Sequence, residues 1–350
     1  MLYTTKPFRL GIVGYGNLGR AAVRLLAQKL ERWRITEGLS LTLTCVLGKN
    51  GGLADADGLN CEELAAYGSA RLDSFPGFDS QFSFKKMIDN RLVDVIAEFT
   101  PTDRKTGEPG LSHIRDALKC GIHVTTANKG PILVAWEELS QLAHEQGLLL
   151  GVGCTTGGAL PSVIAGRDAM AGSDISMIWG ILNGTTNYIL NRMESGLNYN
   201  EALKEAQSVG IAEADPSMDV EGWDTAVKLV ILAKIVMDGK IDLKDASVKG
   251  ISNLTAEETE TALAAGHRIK LIGRAFREGG EVRASVAPES VDAIHPFYSV
   301  SAKDKCVRYV SDTLGDLFVS GGASGPIPAA ASALRDVLLA WRSGLLKNSE

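Results

Sequence analysis

A short apolar run, residues 8–13 (FRLGIV), passes without a break into Gly14-Tyr15-Gly16-Asn17-Leu18-Gly19 and then into the helical pattern RAAVRLLA. A strand, a glycine loop and a helix in that order leave few alternatives to an α/β nucleotide-binding unit. In this pattern the first glycine allows a tight turn, the second lets backbone approach a pyrophosphate, and the third lets the helix pack on the strand. Gly14, Gly16, Asn17, Leu18 and Gly19 are therefore expected to hold the phosphates of a dinucleotide at the N-terminus of the helix, where unpaired N–H groups attract anions.

The same texture continues for about 150 residues. Further strands are predicted at residues 40–47, 93–99, 122–126 and 148–152, with helices at 111–119 and 137–145. Alternation of this kind gives a parallel sheet with helices on both faces, and such sheets bind ligands at the carboxyl ends of their strands. Three candidate sites follow from that rule. The second strand ends in Gly48-Lys49-Asn50, a cation where NAD-selective sites usually place an acid. Lys49 can hold a ribose 2′-phosphate, so NADP is favoured, with NAD still open. Thr100 and Pro101 close the strand at 93–99, and Lys129 closes the one at 122–126, beside a predicted break at Gly130-Pro131. Residues 51–58 read as a glycine- and aspartate-rich loop, and 61–67 as helical.

After residue 152 the texture changes. Gly153-Cys-Thr-Thr-Gly-Gly-Ala-Leu-Pro161 is a glycine-rich connection, followed by a helix at 162–171, a strand at 175–182, helices at 185–194, 200–209 and 220–237, and a hairpin at 269–276 and 281–286 turned by Gly279-Gly280. The predicted organisation is α/β: a Rossmann-type doubly wound domain (1–152), then a mixed α+β substrate, catalytic and dimerisation domain (153–317). A C-terminal segment (318–350) carries a second glycine loop through Gly325 and a helix at 330–341, and returns to the first domain.

Residues 180–229 concentrate polar chemistry. Asp224 and Lys228 are spaced i, i+4, which puts carboxylate and ammonium on one face of a helix. On a polar helix that pair would be surface decoration worth a few tenths of a kcal/mol. Here Ala226, Val227 and residues 229–233 make the helix apolar nearly all round, so the lysine needs a partner or a cleft. Glu213, Asp215 and Asp219 lie just upstream on a linker broken by Pro216.

Composition narrows the classes. The 350 residues carry a net charge of −6 without a basic stripe, which argues against nucleic acid and anionic membranes as partners. Five scattered cysteines without a CxxC pair fit neither a disulfide framework nor a zinc site, and no metal site is expected. The first residues hold no signal-peptide core, and the longest apolar run is interrupted by Lys228 and Lys234, so a cytoplasmic protein is expected.

The motifs PTDRKTGEPGLSHI from Pro101, TANKGP from Thr126, GILNGTTNYIL from Gly180 and GIAEADPSMDVEGWDTAVKL from Gly210, in that order, resemble the homoserine dehydrogenase family over residues 8–340. The resemblance implies reversible NAD(P)H-dependent reduction of L-aspartate 4-semialdehyde to L-homoserine, on the route to threonine, isoleucine and methionine. It implies Lys228 as the acid/base lysine with Asp224 as its partner, Lys129 near nicotinamide and substrate, and Glu213 on the substrate amino group. Asp219 and Thr185 would line the same pocket, and Gly210 and Gly325 would touch the cofactor. It also implies a homodimer through the second domain, and no fused aspartate kinase is expected. Where the family commonly has a glutamate associated with a bound monovalent cation, this chain has Gly153, which leaves a sodium site unsupported. Two other readings use the same fold: a dehydrogenase for another small amino or hydroxy aldehyde, and a nucleotide sensor without turnover. The sensor would have no use for Asp224, Lys228 and Lys129.

Overall fold

Residues 7–68 and 71–346 are described by the computed structural model. They form two units, one made of 1–155 with 325–350 and the other of 156–324. The first begins with β1 (Phe8–Val13), α1 (Asn17–Glu37), β2 (Leu41–Gly48), β3 (Gly51–Ala54), α2 (Cys61–Ala66), α3 (Phe84–Asp89) and β4 (Val95–Glu98). It continues through α4 (Gly110–Lys119), β5 (His123–Thr126), α5 (Lys129–Glu145), β6 (Leu150–Gly151) and α6 (Cys154–Gly157). The sheet order is β3-β2-β1-β4-β5-β6. From β2 to β6 neighbouring strands are parallel, which is the doubly wound core the alternating pattern predicts.

Two elements of this unit differ from the sequence expectation. Residues 51–54 are not loop but β3, antiparallel to β2 with Cys45 opposite Ala54 and Gly48 opposite Gly51. The turn between them is only Lys49-Asn50, and Gly51 follows at φ +131, where a side chain is strained. Glycines that read as loop are thus edge-strand residues in close backbone contact: a Cβ on Gly52 would lie 2.4 Å from the Val46 carbonyl oxygen. The second difference is α5, which begins at Lys129 and kinks at Ala135 (φ −140), so that the helix predicted at 137–145 is its second part. Gly130 and Pro131 lie in its first turn, where backbone N–H groups have no intrahelical partner and proline is tolerated.

The second unit contains α7 (Ser162–Ile164), β7 (Ile175–Ile181), α8 (Gly184–Glu194), α9 (Tyr199–Ser208), α10 (Ser217–Val220), α11 (Trp223–Val236) and β8 (Ser247–Val248). Then come α12 (Ala256–Ala264), β9 (Arg268–Glu278), β10 (Glu281–Val291), β11 (Cys306–Ser311) and β12 (Asp316–Ser320). Its sheet runs β12-β11-β7-β9-β10-β8, antiparallel except where β8 meets β10. The hairpin β11–β12 is absent from the sequence expectation. The edge strand β12 alternates only between half-buried and exposed, so its pattern is weak, and Phe318 lies within it and not on a returning segment. The helix predicted at 220–237 is α11, which starts at Trp223, and the short α10 just before it is absent from the sequence expectation. Gly222, at φ +85, separates α10 from α11 and turns the chain sharply between them.

The chain re-enters the first unit in α13 (Pro326–Arg342). Leu334, Val337 and Ala340 join Leu10, Ile12, Val23 and Leu26 in one buried core, and each such Leu or Val contributes about 1.5–3 kcal/mol. At the far end Arg342 pairs with Glu37 at 2.7 Å and the Trp341 indole N–H donates to the Glu37 carbonyl at 2.8 Å. With their C-termini tied together, α1 and α13 lie side by side and parallel, so their N-termini open at the same end. No helix among the described residues is long and apolar enough to cross a membrane.

Candidate active site

In the first unit the three fingerprint glycines serve two different purposes. A Cβ on Gly14 would sit 2.6 Å from the backbone of Phe99, and one on Gly19 would sit 2.2 Å from the carbonyl oxygen of Gly14. Both are needed because backbone packs on backbone. Gly16, at φ −83, is neither strained nor crowded, and a Cβ there would meet nothing within 4 Å. The open space beside Gly16, at the mouth of a 21-residue helix whose first N–H groups belong to Asn17 and Leu18, suits an anionic ligand.

A cavity of about 320 Å³ adjoins that point, lined by Asn17, Arg20, Ala21, Arg24, Gly68, Pro326 and Ile327. The Arg20 guanidinium is fixed by the Tyr15 carbonyl at 3.2 Å and the Asn17 side chain at 2.9 Å. Gly325, at φ +117, caps α13 on the same side. Two helix N-termini and two guanidiniums make this end of the unit electropositive, so the residues present fit a dinucleotide phosphate chain.

The strand ends behave similarly. The Thr100 amide donates to the Glu98 carboxylate at 3.0 Å and its hydroxyl donates to the same oxygen, while Glu98 also accepts from the Thr126 hydroxyl at 3.2 Å. Asn128 donates to the carbonyls of Thr100 and Pro101 at 3.2 and 3.4 Å and caps α5 by accepting from the Gly130 amide at 3.1 Å. Glu98 and Asn128 are both buried. They fix the Thr100-Pro101 turn, and Asn128 places Lys129 as the first, half-buried residue of α5. Lys49 is exposed in the β2–β3 turn.

The second unit gathers the acidic residues and the lysine around an asparagine. Asp224, in the first turn of α11, pairs with Lys228 one turn later at 2.6 Å, their side chains only 16 and 15% exposed. A second ammonium hydrogen goes to the Leu182 carbonyl at 2.8 Å. Asn183 donates to Asp219 at 2.6 Å and to Asp224 at 2.9 Å, while its own oxygen caps α8 by accepting from the Thr186 amide at 2.9 Å. The break at Gly222 is what allows Asp219 on α10 and Asp224 on α11 to reach the same amide. Burial first, and then the Asp224 charge, hold the Asp219 carboxyl above its ordinary value against the opposing pull of Asn183, Lys228 and Thr185.

Thr185 touches this cluster through Asp219, and the 210–215 loop lies beside it. Thr185 donates to the Ile211 carbonyl at 3.1 Å, and Gln207 donates to the Glu213 carbonyl at 3.1 Å, so both ends of the 210–215 loop are tied to helices. Glu213 itself is exposed. Gly210, at φ +72, ends α9 in the left-handed conformation. The sequence reading assigned no role to Asn183, Glu98 or Asn128. Asn183 and Asn128 each precede a glycine-containing first turn and so read simply as helix caps, which they also are. Glu98 is the last residue of a buried strand, and a carboxylate there is the signal that was available.

A model of the homoserine dehydrogenase family matches residues 161–338. The NAD(+)-dependent homoserine dehydrogenase of Pseudomonas canavaninivorans is 36% identical over 97% of this chain and 98% of its own length. The homoserine dehydrogenase of Methanocaldococcus jannaschii is 35% identical over 95% and 98%. The solved homoserine dehydrogenase of Thiobacillus denitrificans superposes with a TM-score of 0.82 at 27% identity, covering 99% of this chain and 76% of that one. A fingerprint loop with open space at Gly16, a lysine–carboxylate cluster on α11, and likeness along almost the whole length place this chain in the homoserine dehydrogenase family.

Proposed function

We propose that Lys228 carries the proton when the enzyme interconverts L-aspartate 4-semialdehyde and L-homoserine, and that the first unit is its dinucleotide-binding domain and the second its substrate domain. The observation that supports this most strongly is the ammonium of Lys228 held between the Asp224 carboxylate and the Leu182 carbonyl in a half-dry cluster. Two of its three N–H groups are thereby directed, and the third is presented to a substrate oxygen. As the aldehyde carbon gains a hydride, negative charge develops on that oxygen; Lys228 stabilises the charge and transfers its proton, giving the alcohol. A bound nicotinamide cofactor supplies the hydride, or accepts it in the reverse direction. Asp224 keeps the ammonium in place, and Asn183 keeps both carboxylates apart and oriented. Glu213 takes the ammonium end of the amino-acid substrate, with Asp219 and Thr185 lining the same pocket, and Lys129 acts from the cofactor side.

For the cofactor we propose NADP over NAD. The support is the absence of an acid at the end of β2, the exposed cation Lys49 there, and Arg20 and Arg24 on the neighbouring cavity. The Gly210 and Gly325 backbones complete the contacts. A homodimer through the second unit is supported by one row across its sheet. Phe318, Arg308, Trp179 and Arg274 are register neighbours on β12, β11, β7 and β9, with both guanidiniums over the Trp179 ring at 5.0 and 4.6 Å and Phe318 41% exposed.

Initial rates with aspartate semialdehyde and with other small aldehydes, each with NADPH and NADH, test the reading. Aspartate semialdehyde with NADPH is expected to give the highest kcat/KM. Faster turnover of a different aldehyde would overturn the substrate, and faster turnover with NADH would overturn the cofactor preference.

A further inference from the structure

Lys305 is the residue just before β11, and although it is a lysine it is only 6% exposed. Burying an ammonium is costly unless strong acceptors receive it. Its Nζ donates to the carbonyl oxygen of Gly157 at 2.8 Å, inside the glycine-rich connection. Gly158, at φ +61, passes close by, with an ideal Cβ 3.7 Å from the same nitrogen. The backbone of Lys305 holds a second glycine segment: its carbonyl accepts from the Gly321 amide at 2.9 Å. Those two segments also pack on each other, since a Cβ on Gly322 would lie 2.4 Å from the Leu160 nitrogen. They are the stretches through which the chain enters the second unit after residue 155 and leaves it before residue 325.

The connection is where the family resemblance associates a monovalent cation with a glutamate. The residues here do not fit that ion. Position 153 is glycine, and the space its side chain would enter already holds the Asp336 carboxylate, 2.6 Å from an ideal Cβ and bonded by the Gly153 amide at 2.9 Å.

We infer that the Lys305 ammonium is a built-in cation that pins the 157–160 segment by its carbonyl oxygen, so that the fold needs no free sodium or potassium there. Lys305 is on this account a positioning residue; it acts on the backbone of the connection and not on substrate.

Melting curves read this separately from turnover, in choline, sodium and potassium chloride at matched ionic strength. A cation that binds only the native state raises its melting temperature. Wild type is expected to melt at the same temperature in all three salts. Lys305→Met, which keeps the aliphatic stem, is expected to melt several degrees lower in choline and to recover part of that loss in sodium or potassium. Three results would overturn the inference: a wild type raised by sodium or potassium over choline, a Lys305→Met protein as stable as wild type in choline, or a loss that neither metal ion recovers. Should Lys305→Met fail to fold, sodium NMR on wild type decides: an unbroadened line supports the built-in cation, and saturable broadening at stoichiometric protein overturns it.

Discussion

At Asp219 burial sets the charge of the site against the stability of the fold. Its ordinary carboxyl value is 3.8, and the fold raises it through burial and the nearby Asp224 charge. At neutral pH the fold therefore holds a charge that the unfolded chain carries more easily; below both values the carboxyl is protonated in either state and the cost is gone. Asp219→Asn is expected to melt higher than wild type at neutral pH, with the difference closing as pH falls through the carboxylate range, and to turn over more slowly. Melting curves across pH check it; a lower melting point at neutral pH would contradict the assigned shift. Lys228 and Asp224 were legible in sequence because charge stood out against an apolar run, whereas Asp219, on the linker before it, gained a role only through the family resemblance. Asn183 was not, because its helix-capping role accounts for an Asn-Gly pair by itself. Asn183→Ala is expected to lower kcat by about tenfold or more, since both carboxylates lose an orienting donor, a loss of the kind seen when supporting hydrogen bonds are removed.

At the scale of elements, the turn from β1 into α1 separates structural glycine from functional glycine. Gly19→Ala pushes a methyl into the Gly14 carbonyl, 2.2 Å away, and is expected to cost about 1–3 kcal/mol of stability. Gly16→Ala meets open space and is expected to melt like wild type while weakening dinucleotide binding. Melting curves and cofactor titration of the two variants together check this; equal cofactor affinity in Gly16→Ala would remove the loop from the binding site. Periodicity predicted β1, α1, β2, α4, α8 and the β9–β10 hairpin because apolar residues repeat strongly there. It missed β3 and β12, where glycines or half-exposed edge positions dilute the alternation, and the interior strand β11, whose buried positions do not alternate cleanly. It also missed α10 and the turn that follows it, since nothing in composition announces that Gly222 adopts φ +85. That break brings Asp219 and Asp224 to one asparagine.

For the whole molecule, the alternating pattern of the first 150 residues was readable because a parallel sheet buries both faces and repeats one unit. The second unit was readable only as mixed α+β, since antiparallel pairing between distant strands such as β7 and β11 leaves no local trace. The Phe318–Arg308–Trp179–Arg274 row gives assembly a test: Phe318→Glu is expected to shift a dimer toward monomer in sedimentation without lowering its melting point at low concentration. A wild type that sediments as a monomer would refute the dimer. The claim on which everything else depends is that Lys228 moves the proton. Steady-state oxidation of NADPH with aspartate semialdehyde, compared between wild type and Lys228→Ala with cofactor affinity measured in parallel, tests it most directly. A fall in kcat of about a hundred- to ten-thousand-fold at unchanged cofactor affinity is the expected result. A Lys228→Ala enzyme that keeps wild-type kcat would contradict the account.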